Sequence, residues 1–153
     1  MEKDQPHSHA LRRGRVSLQR HAYLITTCTH QRLPLLNSWS PARCVVREMQ
    51  SLENDGWVSS LSYVIMPDHL HWLFMLDQVE LDAVVKRLKG RSARAINAYL
   101  HRRGSVWQQG YHDRGLRREE DVRSIARYIV ANPLRAGLVN DIGKYPLWDA
   151  MWL

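Results

Sequence analysis

Cysteine is scarce: Cys28 and Cys44 are the only two in 153 residues. That is too few for a disulfide framework. Neither lies in a Cys-x-x-Cys spacing, so a zinc site built on them is the weakest functional reading. Long apolar runs are also missing, which excludes a membrane-spanning helix. The first twenty residues are polar and basic with no apolar core segment. No secretory signal is expected there, and the thiols are expected to stay reduced in a cytoplasmic setting. There is no internal repeat and no low-complexity segment. No aromatic run of the RNA-recognition type falls on an expected strand.

Acidic residues are outnumbered. Asp plus Glu total 15 against 22 Lys plus Arg, a net charge of +7, with a pI near 9.8. Eight histidines and six tryptophans are many for this length. Such a balance points first to nucleic acid. The plainer reading is a basic surface that only maintains solubility. Hydrophobic content of 44% and charged content of 24% are those of an ordinary globular domain. At this length about two-thirds of the unfolded surface can be buried without staples. Residues 1–19 read as a basic, partly disordered arm carrying Arg12, Arg13 and Arg15; residues 20–153 read as one domain.

His21 to His30 is rich in Tyr, Ile and Thr and reads as a strand. Ser40 before Pro41 signals a helix start, and Val45, Val46, Met49 and Leu52 give that helix an apolar stripe to Asn54. Trp57–Met66 and His69–Leu76 read as strands joined across Pro67-Asp68. Helical spacing runs from Val79 to Leu100 through Gly90. Gly104–Arg117 reads as short extended pieces. Glu119–Asn132 reads as a helix with acids in its first turn, followed by one further turn and a short tail. The order β-α-β-β-α-β-α predicts an α+β, ferredoxin-like split βαβ fold: an antiparallel sheet with packed helices and an extra C-terminal helix. Such a fold hosts many activities and names none.

Chemistry enters at His69-Leu70-His71. Residues two apart on a strand share a face, so both imidazoles project together and can bind a divalent metal. The alternative is one capping and one exposed histidine. Tyr128 and Asn132 lie four apart on the last long helix, with Tyr128 expected at the edge of the buried face. Asn132 can supply a carbonyl oxygen as a further ligand. Taken singly, Tyr128 reads rather as a packed ring and Asn132 rather as a cap or turn residue before Pro133. Lys86 to Arg103 holds seven basic residues and no acid. Lys86, Arg87, Lys89, Arg91 and Arg94 are candidate phosphate contacts, and Trp107 and Tyr111 are candidate stacking platforms for unpaired bases. A solvated helix face and ordinary core packing are the alternatives.

The segment YVIMPDHLHWLFML resembles the His-hydrophobe-His segment of the HUH single-strand endonucleases. Its Met66-Pro67-Asp68-His69-Leu70-His71 core is similar to that of the insertion-sequence single-tyrosine transposases. RRGRVSLQRHAYLITTCTHQR and VWQQGYHDRGLRREEDVRSIARYIVANPLRAGLV resemble one branch, the REP-associated tyrosine transposases, from about Arg12 to Val139. The resemblance implies that His69 and His71 are the metal pair and that Tyr128 is the nucleophile. Asn132 stands where other insertion-sequence relatives carry a Gln ligand. It further implies Mg²⁺ or Mn²⁺ as cofactor and a 5′-phosphotyrosine intermediate with release of a 3′-OH. The implied substrate is single-stranded DNA with a REP-type hairpin, cut in the cytoplasm at the nucleoid by a monomer. Asp68, His112, Asp113 or a water are candidate proton acceptors. Tyr111 and Tyr63 are the rival nucleophiles. The competing function is a non-catalytic nucleic-acid-binding module of the same fold.

Overall fold

The computed structural model describes residues 21–150. The basic arm with Arg12, Arg13 and Arg15 therefore lies outside the described residues. Strand β1 (Ala22–Cys28) leads through a 3-10 turn (His30–Arg32) to helix α1 (Trp39–Asn54). Strands β2 (Val58–Met66) and β3 (His69–Leu76) follow, then α2 (Leu81–Leu100), β4 (His112–Leu116), α3 (Glu119–Val130), α4 (Asn132–Arg135) and β5 (Trp148–Ala150). The sheet order is β4-β1-β3-β2-β5, and every pairing is antiparallel. The first four positions reproduce the expected split βαβ arrangement, and the fold is α+β.

Alternation along the central strands sorts side chains onto two faces. Ile25, Leu70, Trp72 and Phe74 join Val45, Leu52, Val84 and Leu88 of α1 and α2 in one core. Val64, Met66 and Leu73 join Val122, Ala126 and Ile129 of α3 in a second. Met66 pairs with His69, so Pro67-Asp68 makes a tight two-residue turn. Among the described residues no helix is long and apolar enough to cross a membrane.

Some boundaries differ from the expectation. Helix α1 starts at Trp39 with Ser38 at its N-cap, not at Ser40-Pro41. Pro41 still fits, because first-turn amides need no intrahelical partner. Helix α3 stops at Val130, and Asn132 opens the separate α4. The segment expected to be a plain tail adds the edge strand β5. The Tyr145 hydroxyl donates to the Ile65 carbonyl, and the Ile65 amide donates to Leu147 O at 2.9 Å.

Candidate active site

His69 and His71 share the α3 face of β3, as the spacing predicted. Their ring centroids are 4.9 Å apart at a near-perpendicular 81°. Each ring is held at Nδ1. Asp68 Oδ1 lies 2.8 Å from His69 Nδ1, and Arg32 Nε donates to Asp68 Oδ2 at 2.9 Å. A carboxylate at Nδ1 fixes the proton there, so the His69 Nε2 lone pair stays open. Thr26 Oγ1 lies 2.7 Å from His71 Nδ1, opposite it in the β1–β3 register. With Nδ1 donating to that hydroxyl, His71 Nε2 is also left as a ligand atom.

Electrostatics keep both rings neutral. Burial pushes the His69 pKa below its ordinary value, against the opposing pull of Asp68. Burial, then His69, Arg135 and Arg32, push His71 down to about 3. Burial alone would raise Asp68, but the His69 hydrogen bond and the Arg32 charge outweigh it and hold the carboxyl below the usual range. Neutral imidazoles are the form that binds metal. Among the described residues no group of three or more His, Cys, Asp or Glu forms a cage. The described donor set is thus two imidazoles, and any further metal ligand would have to be an amide, a substrate oxygen or water. Asn132 is half-buried, and its side-chain amide has no hydrogen-bond partner among the described residues.

Tyr128 differs from the expectation. It does not edge into the core; its side chain is 62% exposed. Val122, Ala126, Ile129 and Val130 take the sheet-facing side of α3, and Tyr128 turns outward. The ring is nevertheless fixed. The guanidinium carbon of Arg135 sits 3.8 Å from its centroid, a close cation–π contact. Arg135 also acts electrostatically on His71, so one side chain links the tyrosine to the histidine pair. Sequence reasoning missed Arg135 and Arg32. Arg135 lies seven residues after Tyr128, on the separate helix α4. Arg32 reaches Asp68 from a turn where Gln31 and Arg32 both adopt positive φ.

The expected DNA surface needs correction at four positions. Arg87 bonds Ser51 and Asp55 and lies over the Trp57 ring. Lys89 donates to the carbonyls of Gln108 and Gly110. Trp107 is 8% exposed and donates its indole N–H to Ser92 Oγ at 3.0 Å. Tyr111 is 4% exposed, with its hydroxyl bonded to Asp82. All four hold α2 to its neighbours, so they are not available to bases or phosphates. Lys86, Arg91 and Arg94 are exposed. Asp68 is committed to Arg32 and His69, which weakens it as a proton acceptor. Among the rival nucleophiles, Tyr111 is buried and bonded, and Tyr63 lies on the α1 face, opposite the histidines.

Residues 17–132 match the model of the family described as "Transposase IS200 like". The chain belongs to the IS200-like transposase family. One curated relative is the REP-associated tyrosine transposase of Escherichia coli K12, 24% identical over 87 residues. That match covers 56% of this chain and only half of the relative's own length. A solved REP-associated tyrosine transposase bound to a REP hairpin superposes with a TM-score of 0.72. It is 18% identical, over 88% of this chain and 79% of that one. A putative transposase from Deinococcus radiodurans R1 gives a TM-score of 0.54 at 24% identity, over 76% of this chain and 93% of that one. At these identities the structural likeness establishes the fold alone.

Proposed function

We propose that this transposase is a metal-dependent single-strand DNA endonuclease and strand transferase of the REP-associated type, acting beside REP-like hairpins. The observation that carries this reading is the His69–His71 pair: two neutral imidazoles with Nδ1 engaged and Nε2 open. The relatives named for REP hairpins supply the substrate class.

In this reading His69, His71 and Asn132 hold Mg²⁺ or Mn²⁺. A bound ion would supply Lewis-acid polarisation of the scissile phosphate and would offset charge developing there. Tyr128 is the nucleophile. Its phenolic oxygen attacks phosphorus in line, the new O–P bond forms, and the P–O3′ bond breaks. The phenol gives up its proton and the departing 3′ oxygen takes one. The products are a 5′-phosphotyrosine and a free 3′-OH. Bond energy is retained in the link, so a 3′-OH can reverse the step and rejoin strands without a nucleotide cofactor. Arg135 holds the exposed Tyr128 ring in one orientation and adds positive charge where the phosphate docks. In this reading the working unit is a monomer, with Arg135 contacting Tyr128 and acting on His71 within the same chain.

The test is cleavage of labelled single-stranded oligonucleotides carrying REP-like hairpins, in Mg²⁺, Mn²⁺ or EDTA, beside His71→Ala. Metal-dependent cutting lost in His71→Ala, with hairpin binding kept, is expected. Binding without cutting by the wild type under every condition would mean a non-catalytic DNA-binding module.

A further inference from the structure

With Arg87, Lys89, Trp107 and Tyr111 occupied internally, a different surface has the chemistry that unpaired DNA requires. Trp39, Arg43, Arg47 and Gln50 form one stripe along α1 at helical spacing. Trp39 is 55% exposed, although it is a large aromatic at a helix start. Arg43 and Arg47 are exposed, and among the described residues neither guanidinium forms an ion pair or hydrogen bond. Together with Tyr63, Pro146 and Leu147 they line a groove of about 370 Å³.

We propose that this groove between α1 and the edge of the sheet is a binding subsite for an unpaired DNA segment flanking the cut. The base would stack on the Trp39 indole, and the adjoining phosphates would lie on Arg43 and Arg47. The proposal rests on the single-strand endonuclease reading given above. The charge of the groove selects the occupant. The chain's own basic arm, with Arg12, Arg13 and Arg15, has the wrong sign. So does a second copy, with a net charge of +7. A bare anion would need only the arginines; an exposed indole beside them suits a base attached to a phosphate.

Position and extent agree. The Leu36 amide, just before α1, donates to the Pro67 carbonyl at 2.9 Å. The entrance of α1 is thereby tied to the turn that carries Asp68 and leads into His69. Trp39 follows Leu36 by three residues, and Arg43 stands one turn further along α1. Beyond Gln50 the adjoining groove is lined by Glu53 and Asp149, which repel phosphate. The subsite is therefore short, a nucleotide or two.

The experiment is fluorescence anisotropy in EDTA with the full chain and three hairpins. One is blunt, one has an unpaired 5′ flank and one an unpaired 3′ flank. The wild type is expected to bind one flanked hairpin about tenfold more tightly than the blunt one. Trp39→Ala should remove that gain and leave blunt binding unchanged, while Trp39→Phe should retain most of it. The Arg43→Gln/Arg47→Gln double variant should lower the salt dependence of flanked binding by about 1.4 in log–log slope, again with no change for the blunt hairpin. Equal losses on blunt and flanked hairpins would overturn the proposal, as would a flank preference that survives Trp39→Ala. The blunt arm tests the parent reading separately: a wild type that binds no hairpin would overturn that reading and the subsite with it.

Discussion

The two faces of the sheet use the same strands for opposite purposes. On the α1–α2 face, Ile25, Leu70, Trp72 and Phe74 have no exposed surface. On the α3 face the alternate residues Thr26, His69 and His71 are half-buried and polar. Two long helices cover the first face, whereas the short α3 covers mainly the Val64–Leu73 part of the second. The end of the strands left thinly covered carries the imidazoles. There burial lowers the pKa of both rings and favours their neutral form. A single residue step along β3 thus separates the closed core from the candidate metal-binding pair.

Adjacent substitutions sharpen that contrast, and the largest effect is expected from chemistry alone. Tyr128→Phe should abolish cleavage and strand transfer. Because its ring is exposed, thermal stability should move by no more than about 0.5 kcal/mol in calorimetry. His71→Ala should lower cleavage at least about 100-fold in single-turnover assays. Its neighbour Trp72→Ala should instead cost about 3–5 kcal/mol of unfolding free energy, read by urea denaturation. If His71→Ala unfolds the protein as badly as Trp72→Ala, the separation of faces fails.

The residues behind the pair come next. Asp68→Asn and Thr26→Val should each weaken Mn²⁺ binding about 10- to 100-fold, measured by calorimetric titration, with little change in hairpin affinity.

A pH series adds a smaller effect. His69 and His71 have folded pKa values below the ordinary histidine value, His71 at about 3. Their stabilising contribution is therefore complete above about pH 6.5 and declines as pH falls below it. Metal-free protein should lose up to about 1.4 kcal/mol per pH unit for each histidine in that window. His71→Gln should flatten the curve.

The smallest effect separates the basic residues of α2. Arg91→Gln with Arg94→Gln should reduce the salt slope of DNA binding without changing stability, whereas Arg87→Gln should do the reverse.

The sheet and its helices were legible because alternation and helical spacing are local signals. The His pair was legible for the same reason: a period of two puts both rings on one face. Strand β5 was not, because three residues are too few for a pattern and its place comes from the Tyr145 and Leu147 contacts with Ile65. Trp107 and Tyr111, set among glycines, read either as stacking platforms or as core residues. Their partners Ser92 and Asp82 lie on α2, beyond any local pattern. Arg32 and Arg135 escaped for a related reason, since each meets its partner only in the folded chain; the outward aspect of Tyr128 is instead a matter of helical phase, off the stripe of Val122, Ala126 and Ile129.

The most direct test of the central claim is covalent trapping on a 3′-labelled hairpin oligonucleotide, followed by peptide mapping of the adduct. Wild type, Tyr128→Phe and Tyr111→Phe would be compared with Mg²⁺ or Mn²⁺ and with EDTA. The account predicts a metal-dependent adduct on Tyr128, present in Tyr111→Phe and absent in Tyr128→Phe. An adduct that persists in Tyr128→Phe, or maps to another residue, would contradict it.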